Sequence, residues 1–177
     1  MSARVDILLI TGAAGVGKST VSWEVGEELK RRGLAHAVID TDELDRVWPL
    51  DLDDERRRRL NVANLSAWWA QYRELGVERL ILAGVFVVIG DALDWIGAAV
   101  PGSRIRPVRL LASPEELRRR VERREIGSAF DAQLERTLRY AAWIDAQPAG
   151  DVVGVDTDGV DVATIAVQLC DLMQWTA

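Results

Sequence analysis

The chain has 177 residues, 49% of them hydrophobic and 28% charged, with 28 acids against 22 bases and a formal net charge of −6. That length suits one domain with a continuous core, and the acidic balance excludes a general nucleic-acid or anionic-membrane surface while leaving room for a local basic patch. A single cysteine, Cys170, and a single histidine, His36, exclude a disulfide framework and any metal site built from several such ligands.

In chain order, Val5 to Thr11 reads as a buried strand that runs into a glycine-rich turn. Ser19 to Arg32 places Val21, Val25, Glu28 and Leu29 at helical spacing, and Gly33 stops it. Ala35 to Asp40 is a second strand. Asp53 to Leu75 is a long helix with Leu60, Asn64, Ala67, Trp68, Gln71 and Leu75 along one stripe, and Gly76 stands where a C-cap glycine belongs. Trp68 is expected in the core, while Trp69, Trp48 and Trp95 suit either a core or a pocket lining. Leu80 to Val88 is apolar throughout, as strands covered on both faces are. Met1 to Asp6 holds no apolar run of signal-peptide length. The longest apolar stretch, Leu80 to Ile89, is about half of a membrane crossing.

A short helix follows over Asp91 to Val100, then a fourth strand from Pro107 to Ala112. Ser113-Pro114-Glu115-Glu116 is a helix start, with an N-cap, a proline in the first turn and acids beside it. That helix reaches Arg124, and another runs from Ser128 to about Ala146. A fifth strand, Val152 to Val155, precedes the turn Asp156-Thr157-Asp158-Gly159 and a last helix from Asp161 to Trp175. Strand–helix alternation with crossovers this long predicts a parallel sheet with helices on both faces. No repeat or linker divides the chain, so one domain over residues 1–177 is expected, soluble and cytoplasmic.

One motif dominates. Gly12-Ala13-Ala14-Gly15-Val16-Gly17-Lys18-Ser19 matches G-x-x-x-x-G-K-[ST] at every fixed position, between a predicted strand and a predicted helix. Glycines let successive backbone N–H groups face one point, and the helix dipole adds positive potential there. The expected phosphate cradle is Gly12, Ala13, Ala14, Gly15, Val16, Gly17, Lys18, Ser19 and Thr20, with Lys18 on the β- and γ-phosphates and the Ser19 hydroxyl on Mg²⁺. ATP and Mg²⁺ are therefore the expected cofactors.

The reaction class needs further residues. No Asn/Thr-Lys-x-Asp guanine motif is present, and the third strand ends without a carboxylate, which leaves the metal to Ser19 and water. Strand two instead ends Asp40-Thr41-Asp42. In an open parallel sheet the carboxyl ends of the strands line the ligand crevice, so Asp40 and Asp42 should face the phosphate loop. Either could deprotonate an acceptor hydroxyl or hold the metal's hydration shell. Two basic runs, Arg56 to Arg59 and Arg118 to Arg124, hold nine of the 22 bases. In the first run, Arg58 and Asn61, about one helical turn apart, suit contact with the acceptor.

These residues resemble the small P-loop kinases of the shikimate, gluconate and adenylylsulfate kinase type, within the wider nucleoside-monophosphate-kinase-like group. The phosphate loop, the Asp40-Thr41-Asp42 step, Arg58-Arg59-Leu60-Asn61 on the long helix and the arginine-rich helix Leu117 to Arg124 fall in that group's order. Asn64-Leu65-Ser66-Ala67-Trp68-Trp69 before Leu82-Ala83-Gly84-Val85 is also similar to a group of actinobacterial ATP-binding proteins. The resemblance implies a three-layer α/β/α P-loop NTPase fold, strand order 2-3-1-4-5, with a short lid about 125–128. It further implies that Arg120, Arg123 and Arg124 reach the nucleotide, with Arg120 and Arg124 stabilising the transferring phosphoryl, and that the Asp156–Gly159 turn borders the adenine. The departures lie at the acceptor end: the third strand reads Ala83-Gly84-Val85-Phe86-Val87-Val88, and no lysine stands at Gly127-Ser128. An ATP-dependent phosphotransferase acting on a small acceptor is the expectation, with a nucleoside-monophosphate kinase and a non-catalytic ATP-binding module as alternatives.

Overall fold

The computed structural model describes residues 5–48, 53–86, 89–124, 130–146 and 151–176. The lid position at 125–128 lies outside them. The strands are β1 (Asp6–Gly12), β2 (Ala37–Asp40), β3 (Arg79–Ala83), β4 (Arg104–Leu111) and β5 (Val153–Asp156). The α-helices are α1 (Lys18–Arg31), α2 (Asp54–Glu74), α3 (Ile89–Ala99), α4 (Pro114–Arg124), α5 (Phe130–Asp145) and α6 (Val162–Leu172), and Thr41–Glu43 forms a single 3₁₀ turn. All five strands are parallel, in the expected order β2-β3-β1-β4-β5.

Alternation along β1 divides the core. Leu8 and Ile10, with Ile81, Val108 and Leu110 from the flanking strands, pack with Val21, Val25 and Leu29 of α1 and Ile165, Ala166 and Leu169 of α6. Ile7 and Leu9, with Leu80 and Leu82, pack on the other face with Leu65 and Trp69 of α2 and Ala92 and Ile96 of α3. Both faces of the central strands are therefore dry, which is why β1 and β3 read as unbroken apolar runs. Cys170 is fully buried, and burial pushes its thiol up to about 11, consistent with a small apolar packing residue.

Besides shifts of two or three residues at the starts of α3 and β4, two elements differ from the sequence expectation. The inward face of α2 is Val62, Leu65, Trp69 and Tyr72 rather than the stripe through Asn64 and Trp68. Trp69 is 4% exposed and Trp68 38%. Adjacent tryptophans satisfy helical spacing on either of two faces, so only the partner surface selects one. The third strand ends at Ala83 instead of continuing to Val88. Side chains take over from the ladder there: Thr41 Oγ1 donates to the Ala83 carbonyl at 3.1 Å, and the Phe86 N–H donates to Thr11 Oγ1 at 3.1 Å. Residues 87–88 lie outside the described residues.

Candidate active site

The crevice forms where β1 leaves the sheet. Gly12 has φ +142°, and a Cβ there would lie 2.6 Å from the Leu110 carbonyl oxygen, so only glycine lets β1 turn against β4. Gly17, at φ +106°, stands at the N-cap of α1 with no side-chain cap. The uncapped first turn, Lys18 to Thr20, faces a cavity of about 600 Å³, a volume in the usual range for a small-molecule site. Ala14, Gly15, Val16 and Gly17 line its floor. Lys18 Nζ donates to the Ala13 carbonyl at 3.0 Å, curled over the loop it belongs to.

On the β2 side, Ser19 Oγ donates to Asp40 Oδ2 at 2.8 Å. Asp40 Oδ1 accepts the Asp42 N–H at 3.1 Å, so Asp40 also caps the 3₁₀ turn that carries Asp42. Asn64 Nδ2 donates to the Leu44 carbonyl and ties that turn to α2. Both carboxylates line the cavity, with Gly84 and Val85 beside them. Gly84 tolerates no side chain, because an added Cβ would run into Thr41 Oγ1. The Asp42 carboxyl is held above the usual range, first by its partial removal from water and then by the charge on Asp40, against a pull from Lys18.

On the β5 side, Arg120 is bolted into the wall. Its guanidinium donates to the Val16 carbonyl at 2.6 Å, to Thr157 Oγ1 and the Thr157 carbonyl at 3.0 Å each, and to Glu116 Oε1 at 2.9 Å. Thr157 is itself buried, with its N–H and hydroxyl both donating to the Leu111 carbonyl. Arg123 lines the cavity from an exposed position. The Arg124 side chain lies outside the described residues. Val160, Val162 and Ile165 add an apolar wall at the start of α6 that reading the sequence missed. No local motif marks these three; Thr157, in the Asp-Thr-Asp-Gly turn, carried the one available signal.

The structure thus brings together the phosphate loop, Asp40, Asp42, Arg120 and Arg123, with Gly12 and Ala13 forming the loop's root. It does not bring Arg58 or Asn61 to the cavity. Arg58 is exposed on α2, and the Asn61 amide oxygen is buried without a hydrogen-bond partner. For a metal, the donor set is one hydroxyl and a carboxylate oxygen in contact with it, hard ligands that fit Mg²⁺ when phosphate oxygens and water complete the shell. Among the described residues no group of three or more His, Cys, Asp or Glu side chains could hold a metal alone. None of the described helices is long and apolar enough to cross a membrane.

Comparison with known proteins gives the same fold. The family described as AAA domain matches residues 8–135. APS kinase CysC from Mycobacterium tuberculosis, solved with AMPPNP and APS, superposes with a TM-score of 0.65 at 19% identity, covering 97% of this chain and 98% of that one. A gluconokinase from Sinorhizobium meliloti 1021 gives 0.63 at 19%, covering 98% and 93%. The tunicamycin resistance protein of Deinococcus radiodurans gives 0.59 at 18%, covering 96% and 95%. Comparison with curated proteins finds no match.

Proposed function

The chain belongs to the AAA domain family, with a small P-loop kinase fold, and on that footing we propose that it is an ATP-dependent phosphotransferase acting on a hydroxyl of a small molecule. ATP lies along the crevice with its triphosphate in the nest of residues 12–20, its γ-phosphoryl toward Lys18 and its base against Val160, Val162 and Ile165. Mg²⁺, held by Ser19 with Asp40 behind it, supplies charge neutralisation at the phosphate oxygens. Asp42 takes the acceptor proton as the acceptor oxygen bonds to the γ-phosphorus. The bond from that phosphorus to the bridging oxygen breaks, ADP leaves, and the proton passes from Asp42 to water.

The observation that carries this reading is the 2.8 Å bond from Ser19 to Asp40, with Asp42 on the same cavity wall. The third strand has no carboxylate, which by itself favours a non-catalytic nucleotide binder. The structure supports catalysis because β2 delivers a carboxylate to the Ser19 hydroxyl in its place. Between the two aspartates, Asp40 is engaged by Ser19 and by the Asp42 N–H, which suits a positioning role, and Asp42 is left for the proton. The positions that would hold a nucleotide acceptor, Arg58 and Asn61, stand off the cavity, which disfavours a nucleoside-monophosphate kinase.

The test is ADP release from Mg-ATP with and without hydroxylated acceptors, on the wild type and on Lys18→Ala. Acceptor-dependent release in the wild type is expected, with nucleotide affinity falling about 10²-fold or more in the variant and its circular dichroism and Tm unchanged. ATP binding and turnover untouched by Lys18→Ala would defeat the reading.

A further inference from the structure

The crevice is polarised by charge along the sheet. Asp40 ends β2 and Thr157 follows β5, at opposite edges of the strand order with β1 and its phosphate loop between them. Four inter-strand spacings separate β2 from β5, about 19 Å. The two lining arginines, Arg120 and Arg123, belong to α4, and Arg120 is fastened to Thr157 beyond β5. The β2–β3 end presents Asp40, Asp42, Gly84 and Val85.

Among the described residues of the 43–59 stretch, each arginine is paired with an acid or stands off the cavity lining. Arg46 pairs with Glu43 at 2.8 Å, Arg57 with Asp45 at 3.7 Å, Arg56 with Asp53 at 3.6 Å and Arg59 with Glu55 at 3.2 Å. Arg58 is exposed and off the lining. Lys18 is the one cation among the described lining residues of this half outside α4, and the phosphates claim it.

We infer that the acceptor of the proposed phosphoryl transfer is a hydroxyl compound that is neutral or carries an amine, and not a carboxylate, sulfate or phosphate ester. This rests on the phosphotransferase reading and narrows it. A hydroxyl can donate to Asp42 and lose its proton there, and an ammonium group on the same molecule gains from Asp40 and Asp42. An acidic acceptor would instead bring a second anion against two carboxylates and a triphosphate that Mg²⁺ and Lys18 offset only in part, with both described lining guanidiniums, Arg120 and Arg123, on α4 at the other end.

Three probes with one six-carbon skeleton test it: D-glucitol, D-glucamine and D-gluconate, which are neutral, cationic and anionic at neutral pH. Each is titrated calorimetrically into the full chain loaded with Mg²⁺ and the β,γ-imido analogue of ATP. Glucamine is expected to bind at least about tenfold more tightly than gluconate at low salt, with glucitol between them. Asp42→Asn should narrow that ratio severalfold while analogue binding stays as in the wild type. Gluconate binding as tightly as glucamine, three probes that do not differ, or a ratio unchanged in Asp42→Asn would each overturn the inference. Failure of the phosphotransferase reading shows separately, as analogue binding indifferent to Lys18→Ala.

Discussion

The two ends of the crevice are held in opposite ways. At the β5 end a cation is spent on the protein itself: Arg120 directs its guanidinium to Val16, Thr157 and Glu116, joining phosphate loop, α4 and the turn after β5 into one wall. At the β2 end the charged groups remain open to the cavity, and one of them, Asp42, carries a proton affinity raised by its surroundings. The difference teaches that a lining residue's formal charge does not state its work. A guanidinium with its donors satisfied by carbonyls builds a rigid surface, whereas a carboxylate kept partly out of water beside another carboxylate is poised for proton transfer.

The strongest way to break this comparison is to remove the poised group. Asp42→Asn should lower acceptor-dependent turnover by about 10²-fold or more while ATP affinity changes little. Because the base must be deprotonated and its carboxyl sits above the usual aspartate range, wild-type kcat should climb with pH through a limb displaced upward from 3.8. That limb should be missing from the residual activity of the variant, and a retained limb would assign it elsewhere.

The rigid end responds differently. Arg120→Ala removes four hydrogen bonds from a half-buried side chain and should cost about 2 kcal/mol of stability by denaturant unfolding, with weaker nucleotide binding as the loop loosens. Arg120→Lys should recover only part, since an ammonium cannot span Val16 and Thr157 as a planar fork does. Full ATP affinity in Arg120→Ala would mean that the loop holds its shape unaided.

A smaller effect sits behind that wall. Both carboxylate oxygens of Asp158 accept the Ser113 N–H, at 3.0 and 3.1 Å, and hydrogen bonding from the Ser113 hydroxyl first, then from that N–H, holds its carboxyl below the usual range. The folded form therefore takes up its proton less readily than the unfolded chain. Its stabilisation is whole at neutral pH and fades as the pH falls from 3.8 downward. Asp158→Asn should cost about 1 kcal/mol at pH 7, and melting curves of variant and wild type should converge in acid.

Some of this was written in the chain. Three glycines and a lysine at set intervals, between an apolar run and a helical one, can serve few purposes other than a phosphate nest, because φ above zero at Gly12, Gly15 and Gly17 is needed to curl the backbone. Asp40 and Asp42 were legible for a second local reason: strand ends in a parallel sheet open onto the crevice. Alternation of strands and helices likewise led to the parallel sheet, while the strand order came with the resemblance to small P-loop kinases.

What only the tertiary structure decided is which way the helices face. Arg118 to Arg124 offers guanidiniums all around α4, and the packing of Leu117 and Val121 in the core selects Arg120 for the wall. The same choice on α2 buries Trp69, exposes Trp68 and turns Arg58 away from the cavity. The phosphate loop depends on backbone conformation, which neighbouring residues determine. The facing of a helix depends on burial against a surface assembled from distant strands, and at Trp68-Trp69 the helical period is satisfied either way.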